Sequence, residues 1–190
     1  MGSIVVQLPL PPGCLPTLWH NDEGFRASYL SRYPGYYLTG DGGFRDADGY
    51  LFVMGRTDDV INVAGHRLST GEMEEVLASH PAVAECAVFG VNDALKGEVP
   101  RGFAVLKAGA SADAQVLAAE LAQMIRDKIG PIATLSRLDI VPALPKTRSG
   151  KTLRKTMRGI ANGKDEPVPS TIDDPAALDA LRPILIPEET

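Results

Sequence analysis

Cysteine is nearly absent from this 190-residue chain: Cys14 and Cys86 are the only two, far apart and outside any Cys-x-x-Cys spacing. That excludes a disulfide framework and makes a reducing cytoplasm the expected compartment. Histidine is scarce too. His20, His66 and His80 lack metal-ligand spacing, so no metal site is expected. No apolar run approaches the roughly 20 residues that span a bilayer. No basic stretch followed by an apolar core opens the chain, so neither a membrane partner nor a secretory signal is read. Aromatics make up only 6% of the residues, and none interleaves the basic segment near the C-terminus. A stacking platform for nucleic acid is therefore not expected.

What remains is a globular composition, 44% hydrophobic and 23% charged, long enough for one ordinary domain or a small domain plus part of another. The net charge of −5 is unevenly spread. Lys146, Arg148, Lys151, Arg154, Lys155 and Arg158 form a run without acids, and an acidic tail follows. One positive stripe on an acidic chain suits a small polyanionic ligand better than a long polyanion.

The first 35 or so residues are rich in proline and read as the end of a larger domain whose main body lies outside this sequence. Residues 36–45 and 50–55 form two β-rich runs joined by Asp46-Ala47-Asp48-Gly49, a hairpin turn composition. Thr57-Asp58-Asp59 is a polar break with the character of a hinge. Residues 60–67 read as a short strand pair broken at Gly65. Ser69-Thr70-Gly71-Glu72 has the form of a capping box, opening a helix that stops at His80-Pro81. Strands follow at 84–91, 102–107 and 137–141. A long helix over 113–129 places Leu117, Leu121, Met124, Ile125 and Lys128 on one face, and Leu153, Met157, Ile160 and Ala161 mark a last helix. The expected fold is α+β, a central, mostly antiparallel sheet with packed helices. Three segments result: 1–58, the β-rich end of the larger domain with the hinge at its end; 59–162, the small domain; and 163–190, an acidic, Pro-containing tail over the surface.

Two segments carry candidate chemistry. Pro145-Lys146-Thr147-Arg148-Ser149-Gly150-Lys151 presents cations around a flexible Ser-Gly turn before a helix, where a lysine can reach a phosphate or an oxyanion; a solvated basic loop is the plainer alternative. Gly150-Lys151-Thr152 is not a P-loop, because Pro145 occupies the position of its first glycine. Upstream, Gly40-Asp41-Gly42-Gly43 fails the dinucleotide pattern at Arg45. Asp41, between glycines at a strand end, suits either two ribose hydroxyls or a turn that caps its own backbone. Arg56 and Arg67 are forked cations matched to phosphate, or ordinary surface arginines.

Taken together, Tyr37-Leu38-Thr39-Gly40-Asp41-Gly42-Gly43, Asp48-Gly49-Tyr50, Gly55-Arg56-Thr57-Asp58-Asp59-Val60-Ile61-Asn62, Ala64-Gly65-His66-Arg67 and the 145–151 segment resemble the C-terminal third of an AMP-forming acyl-CoA synthetase, in the adenylate-forming family. The wording of these motifs and the start Leu8-Pro9-Leu10-Pro11-Pro12-Gly13 look like the short-chain branch, propionyl-CoA synthetases first and acetyl-CoA synthetases next.

The resemblance implies a mobile lid domain, working with its own N-terminal domain on a short carboxylate, ATP with Mg²⁺, and coenzyme A. It implies that Lys151 is catalytic, contacting carboxylate and adenylate oxygens. Asp41 would bind the ribose, Arg56 a phosphate, and Arg67 the α-phosphate region or coenzyme A. Asp58 would be the hinge, Gly65 would clear the pantetheine path, and Arg126 would meet a coenzyme A phosphate unless it is simply a solvated helix charge. Arg154, Lys155 and Arg158 would be a solvated helix face attracting ATP and coenzyme A from a distance. Lys151 matches the family's regulated lysine, which implies a lysine acyltransferase and deacylase as partners. An acetate-specific or other adenylating ligase and a stand-alone interaction module are the alternative readings.

Overall fold

The computed structural model describes residues 2–57, 59–110 and 113–186. The chain forms two compact units, Met1–Asp59 and Val60–Thr190.

The first unit is an antiparallel sheet in the order β1 (Gly2–Gln7), β2 (Tyr36–Arg45), β3 (Leu51–Arg56). The β2–β3 turn is the one its composition predicts. Asp46 Oδ1 accepts from the Tyr50 amide at 2.8 Å, and Gly49 takes the positive φ of 93° that a hairpin turn requires. Between β1 and β2, Asn21 caps a short helix α1 (Asp22–Phe25) that runs into a π-helical turn, Arg26–Leu30. Among the described residues of this unit, Phe25 is the one buried apolar side chain. Phe44, Tyr50, Leu51, Phe52 and Val53 are all exposed on the hairpin.

The second unit is α+β, as expected. Its sheet runs β5 (His66–Ser69), β4 (Val60–Val63), β7 (Gly97–Leu106), β6 (Val83–Asp93), with β8 (Arg137–Ile140) parallel to β7. β4 and β8 share one side of β7 in succession, meeting it at Gly97 and at residues 101–104. Pro100 falls in the gap between them, where a strand's missing N–H leaves no ladder bond unmade. The strand therefore starts at Gly97 rather than at 102.

Both faces of the sheet are covered, and side-chain alternation sorts them. Val88 and Ala104 pack with α2 (Thr70–Ala78) and α3 (Ala114–Ile129) around Met73, Leu77, Leu117, Leu121 and Ile125. Ala87, Phe89 and Phe103 pack on the other side with α4 (Arg154–Ala161) and α5 (Pro175–Leu185). Ser69 caps α2 by accepting from the Glu72 amide at 3.3 Å. The reciprocal bond of the expected capping box, from the Ser69 amide to the Glu72 carboxylate, is not made among the described residues. Lys128 lies off the buried face of α3, its Nζ donating to Ser79 Oγ at 3.1 Å.

The tail after Gly163 does more than run over the surface. Asp174 caps α5, Pro175 sits in its first turn, and Leu178, Leu181 and Leu185 are buried in the second core. The α5 C-terminus is held by buried Arg101, which donates to the carbonyls of Ile184 and Leu185 and pairs with Asp139 at 3.2 Å. A guanidinium there satisfies carbonyls that a helix end leaves unbonded.

Candidate functional site

Asp41 and Arg56 are register partners across the β2–β3 hairpin. Asp41 lies within β2 at an irregularity after Gly42, not at a strand end as the sequence suggested. Its Oδ1 stands 3.6 Å from Arg56 Nη1, and that nitrogen also donates to the Thr39 carbonyl at 3.1 Å. Both side chains are substantially exposed. Gly40, at φ 84°, lies beneath the guanidinium, where a Cβ would come within 2.5 Å of Arg56 Nη2. The Gly40 carbonyl accepts from the Thr57 amide at 2.8 Å, and Thr39 Oγ1 accepts from the Asp41 amide at 3.1 Å. A carboxylate and a forked cation are thus fixed on one rigid strand pair, open to a ligand bearing both hydroxyls and phosphate.

Gly65 and Arg67 belong to the β4–β5 hairpin. Ala64 and Gly65 form its turn, with φ of 47° and 86°. Asn62 pairs with Arg67. A Cβ on Gly65 would meet nothing within 4 Å, so the backbone there is bare to solvent.

Lys151 is exposed on the 145–153 segment. This turn is braced by hydrogen bonds within it and to a neighbouring segment. Thr147 donates its amide to the Lys151 carbonyl at 2.8 Å, Gly150 to Thr147 at 2.8 Å, and Leu153 to Pro145 at 2.9 Å. Thr147 Oγ1 accepts from the Lys151 amide at 3.2 Å. On the far side, Arg148 and Asp173 donate their amides to the carbonyls of Thr171 and Lys146. Lys151 is held at the tip by its backbone, while its ammonium has no ion-pair partner among the described residues.

Of the neighbouring cations, Arg148 and Lys155 are exposed, but Lys146, Arg154 and Arg158 are ion-paired rather than solvated. Lys146 pairs with Glu85 at 2.5 Å, and Arg154 makes a two-pronged pair with Glu74 at 2.7 and 2.5 Å. Arg158 pairs with Glu98. Three residues spaced by four, Arg154, Arg158 and Asn162, form a stripe along the open edge of β6. Glu74 Oε1 accepts from the Val88 amide at 2.8 Å, and Asn162 Oδ1 from the Asn92 amide at 2.7 Å. Unpaired amides of an edge strand are thereby satisfied. The i, i+4, i+8 spacing was visible in the sequence; the acidic partners, up to 80 residues away, were not.

Arg126 is exposed on α3. Asp58 lies outside the described residues. Cys86 is half-buried, its Sγ donating to the Glu74 carbonyl at 3.3 Å, and burial with the Glu74 charge pushes its thiol up to about 11. Among the described residues, no group of three His, Cys, Asp or Glu is placed to hold a metal, and no helix is long and apolar enough to cross a membrane.

Residues 72–151 match the AMP-binding enzyme C-terminal domain. The chain carries that domain. An uncharacterized protein of Pseudomonas aeruginosa is 57% identical over 97% of this chain and 29% of its own length. The propionate–CoA ligase of Escherichia coli is 48% identical over 95% of this chain and 30% of its own. The o-succinylbenzoate CoA synthetase of Bacillus subtilis, solved with its acyl-adenylate intermediate, superposes with a TM-score of 0.65 at 30% identity. It covers 83% of this chain and 30% of that one. The chain thus spans less than a third of the length of these relatives.

The matched part of the AMP-binding enzyme C-terminal domain opens in the first turn of α2 and closes on Lys151. Arg56, Arg67 and Lys151 are exposed cations of the chemistry that meets phosphate.

Proposed function

We propose that the chain works as the C-terminal part of an AMP-forming short-chain acyl-CoA synthetase that activates propionate. The carboxylate attacks the α-phosphorus of ATP, giving propionyl-adenylate and pyrophosphate. The thiol of coenzyme A then attacks the acyl carbon, giving propionyl-CoA and AMP. The observation that carries this reading is the 48% identity to propionate–CoA ligase over 95% of the chain. Acetate is the alternative acid.

In this reading Asp41 accepts the ribose hydroxyls and Arg56 meets a phosphate. Mg²⁺ arrives with the phosphates of ATP. The substrate carboxylate is itself the nucleophile, so no general base is needed, and Lys151 acts by stabilising negative charge on the oxygens of the first transition state. Arg67 serves the α-phosphate region or coenzyme A, and Arg126 a coenzyme A phosphate. Asp58 is the hinge about which the domain Val60–Thr190 turns between steps, so that the bare Gly65 backbone admits the pantetheine arm. The exposed apolar side chains of β2 and β3 support a partner surface on the enzyme's own N-terminal domain. Exposed Lys151 is open to a lysine acyltransferase and a deacylase, and the setting is cytoplasmic.

Pyrophosphate exchange into ATP by the whole protein, driven in turn by propionate and acetate, tests the reading. Propionate is expected to give the higher kcat/KM. Exchange with neither acid would overturn the proposal.

A further inference from the structure

Ile61, Val63 and Leu68 of the β4–β5 hairpin are buried in the first core, but its backbone has few bonds to the sheet. β4 meets β7 at a single register pair, Val63 with Gly97, beside one bond from the Ala64 amide to the Lys96 carbonyl at 2.8 Å. The Asn62 amide instead donates to the Glu98 carboxylate, reaching Oε2 at 2.9 Å. The other oxygen, Oε1, accepts from Arg158 Nη2 of α4. Glu98 is 14% exposed, so this carboxylate is mostly shielded and is shared between two elements as well as its own strand. Its place depends on a glycine: a Cβ on Gly90 of β6 would lie 3.1 Å from Glu98 Oε1 and 3.1 Å from Ile61 Cγ2. The Arg158–Glu98 pair therefore crosses β6 where the strand has no side chain.

We propose that Glu98 is a positioning residue, the tether that fixes the Ala64–Arg67 turn to the same frame as the Lys151 turn. Helix α4 supplies Arg158 and begins three residues after Lys151. Glu98 thus joins the elements carrying Gly65 and Arg67 to the one that follows the catalytic lysine. A charged, shielded acceptor with two donors adds a polar anchor, at Asn62, to a hairpin that is otherwise held by its buried side chains and one backbone register pair. The tether stands on the geometry alone; its consequence for coenzyme A rests on the proposed function.

Amide hydrogen exchange of the 190-residue chain, read residue by residue, tests the tether. Glu98→Gln keeps the side-chain size and weakens the Arg158 contact, and Gly90→Ala crowds the carboxylate, and Ile61 Cγ2 equally, without removing any charge. Both are expected to speed exchange at Asn62 at least about tenfold, with Val88 and Phe103 unchanged. Wild-type exchange at Asn62 in both variants would overturn the tether. In the whole enzyme, Glu98→Gln is expected to raise KM for coenzyme A about fivefold or more, with kcat changed less than about twofold. An unchanged KM alongside a loosened hairpin would overturn the positioning role. A wild-type enzyme inactive on every short-chain acid would overturn the proposed function and that role with it, while the tether is decided by exchange alone.

Discussion

Asp41 and Arg56 face each other across one hairpin, their charged ends 3.6 Å apart over a glycine that leaves room for the guanidinium. An exposed pair of this kind contributes only ~0–1 kcal/mol to stability. Its value lies in presenting a carboxylate and a cation in fixed register. Asp41→Asn and Arg56→Ala should each change unfolding free energy by less than about 1 kcal/mol. Each should slow adenylate formation on the order of 10²-fold, the scale of losing one charged contact at the transition state. Denaturant unfolding and propionate-dependent exchange, measured on the same variants, check both halves.

Gly65 lies on open backbone at a positive φ. Gly65→Leu therefore adds strain of about 1–2 kcal/mol as well as bulk. In the whole enzyme it should keep propionate-dependent pyrophosphate exchange and lose propionyl-CoA formation. Loss of both activities would reduce Gly65 to a turn former.

Leu181 is buried in the second core, on a helix that follows the acidic segment. Leu181→Ala should destabilise the chain by ~2–5 kcal/mol, the cost of a large-to-small change in a packed core. A change below 1 kcal/mol in urea unfolding would mean that α5 is a loosely attached tail.

With its thiol pushed up to about 11, Cys86 holds little thiolate at pH 8. Cys14 is exposed. A thiol-reactive chromophore at pH 8 should react quickly with one thiol and with the second only on unfolding. Cys14→Ser should remove the fast phase.

The fold was legible where the signal was local. The Asp46–Gly49 turn, the Ser69 cap and the 3.6-residue repeat of Leu117, Leu121 and Ile125 each report on neighbours within a few residues. Helix α5 was legible in principle, since Asp174-Pro175 starts it and Leu178, Leu181 and Leu185 share a face. Its acids and prolines masked that pattern. The role of Arg154 and Arg158 was not legible, because basic residues four apart look alike whether water or a distant glutamate faces them. Sheet order decided that, by leaving β6 at the edge beside α4. In the candidate site, residue types were readable from the motifs, but the bracing of the Lys151 turn came from residues 171–173, whose contact with it no local pattern announces.

Lys151 is the proposed cation of the first half-reaction, and one comparison tests that role directly. Lys151→Ala in the whole enzyme should lower propionate-dependent pyrophosphate exchange by ~10² or more. Conversion of supplied propionyl-adenylate and coenzyme A into propionyl-CoA should stay near the wild-type rate. Equal loss of both half-reactions, or exchange at the wild-type rate, would contradict it.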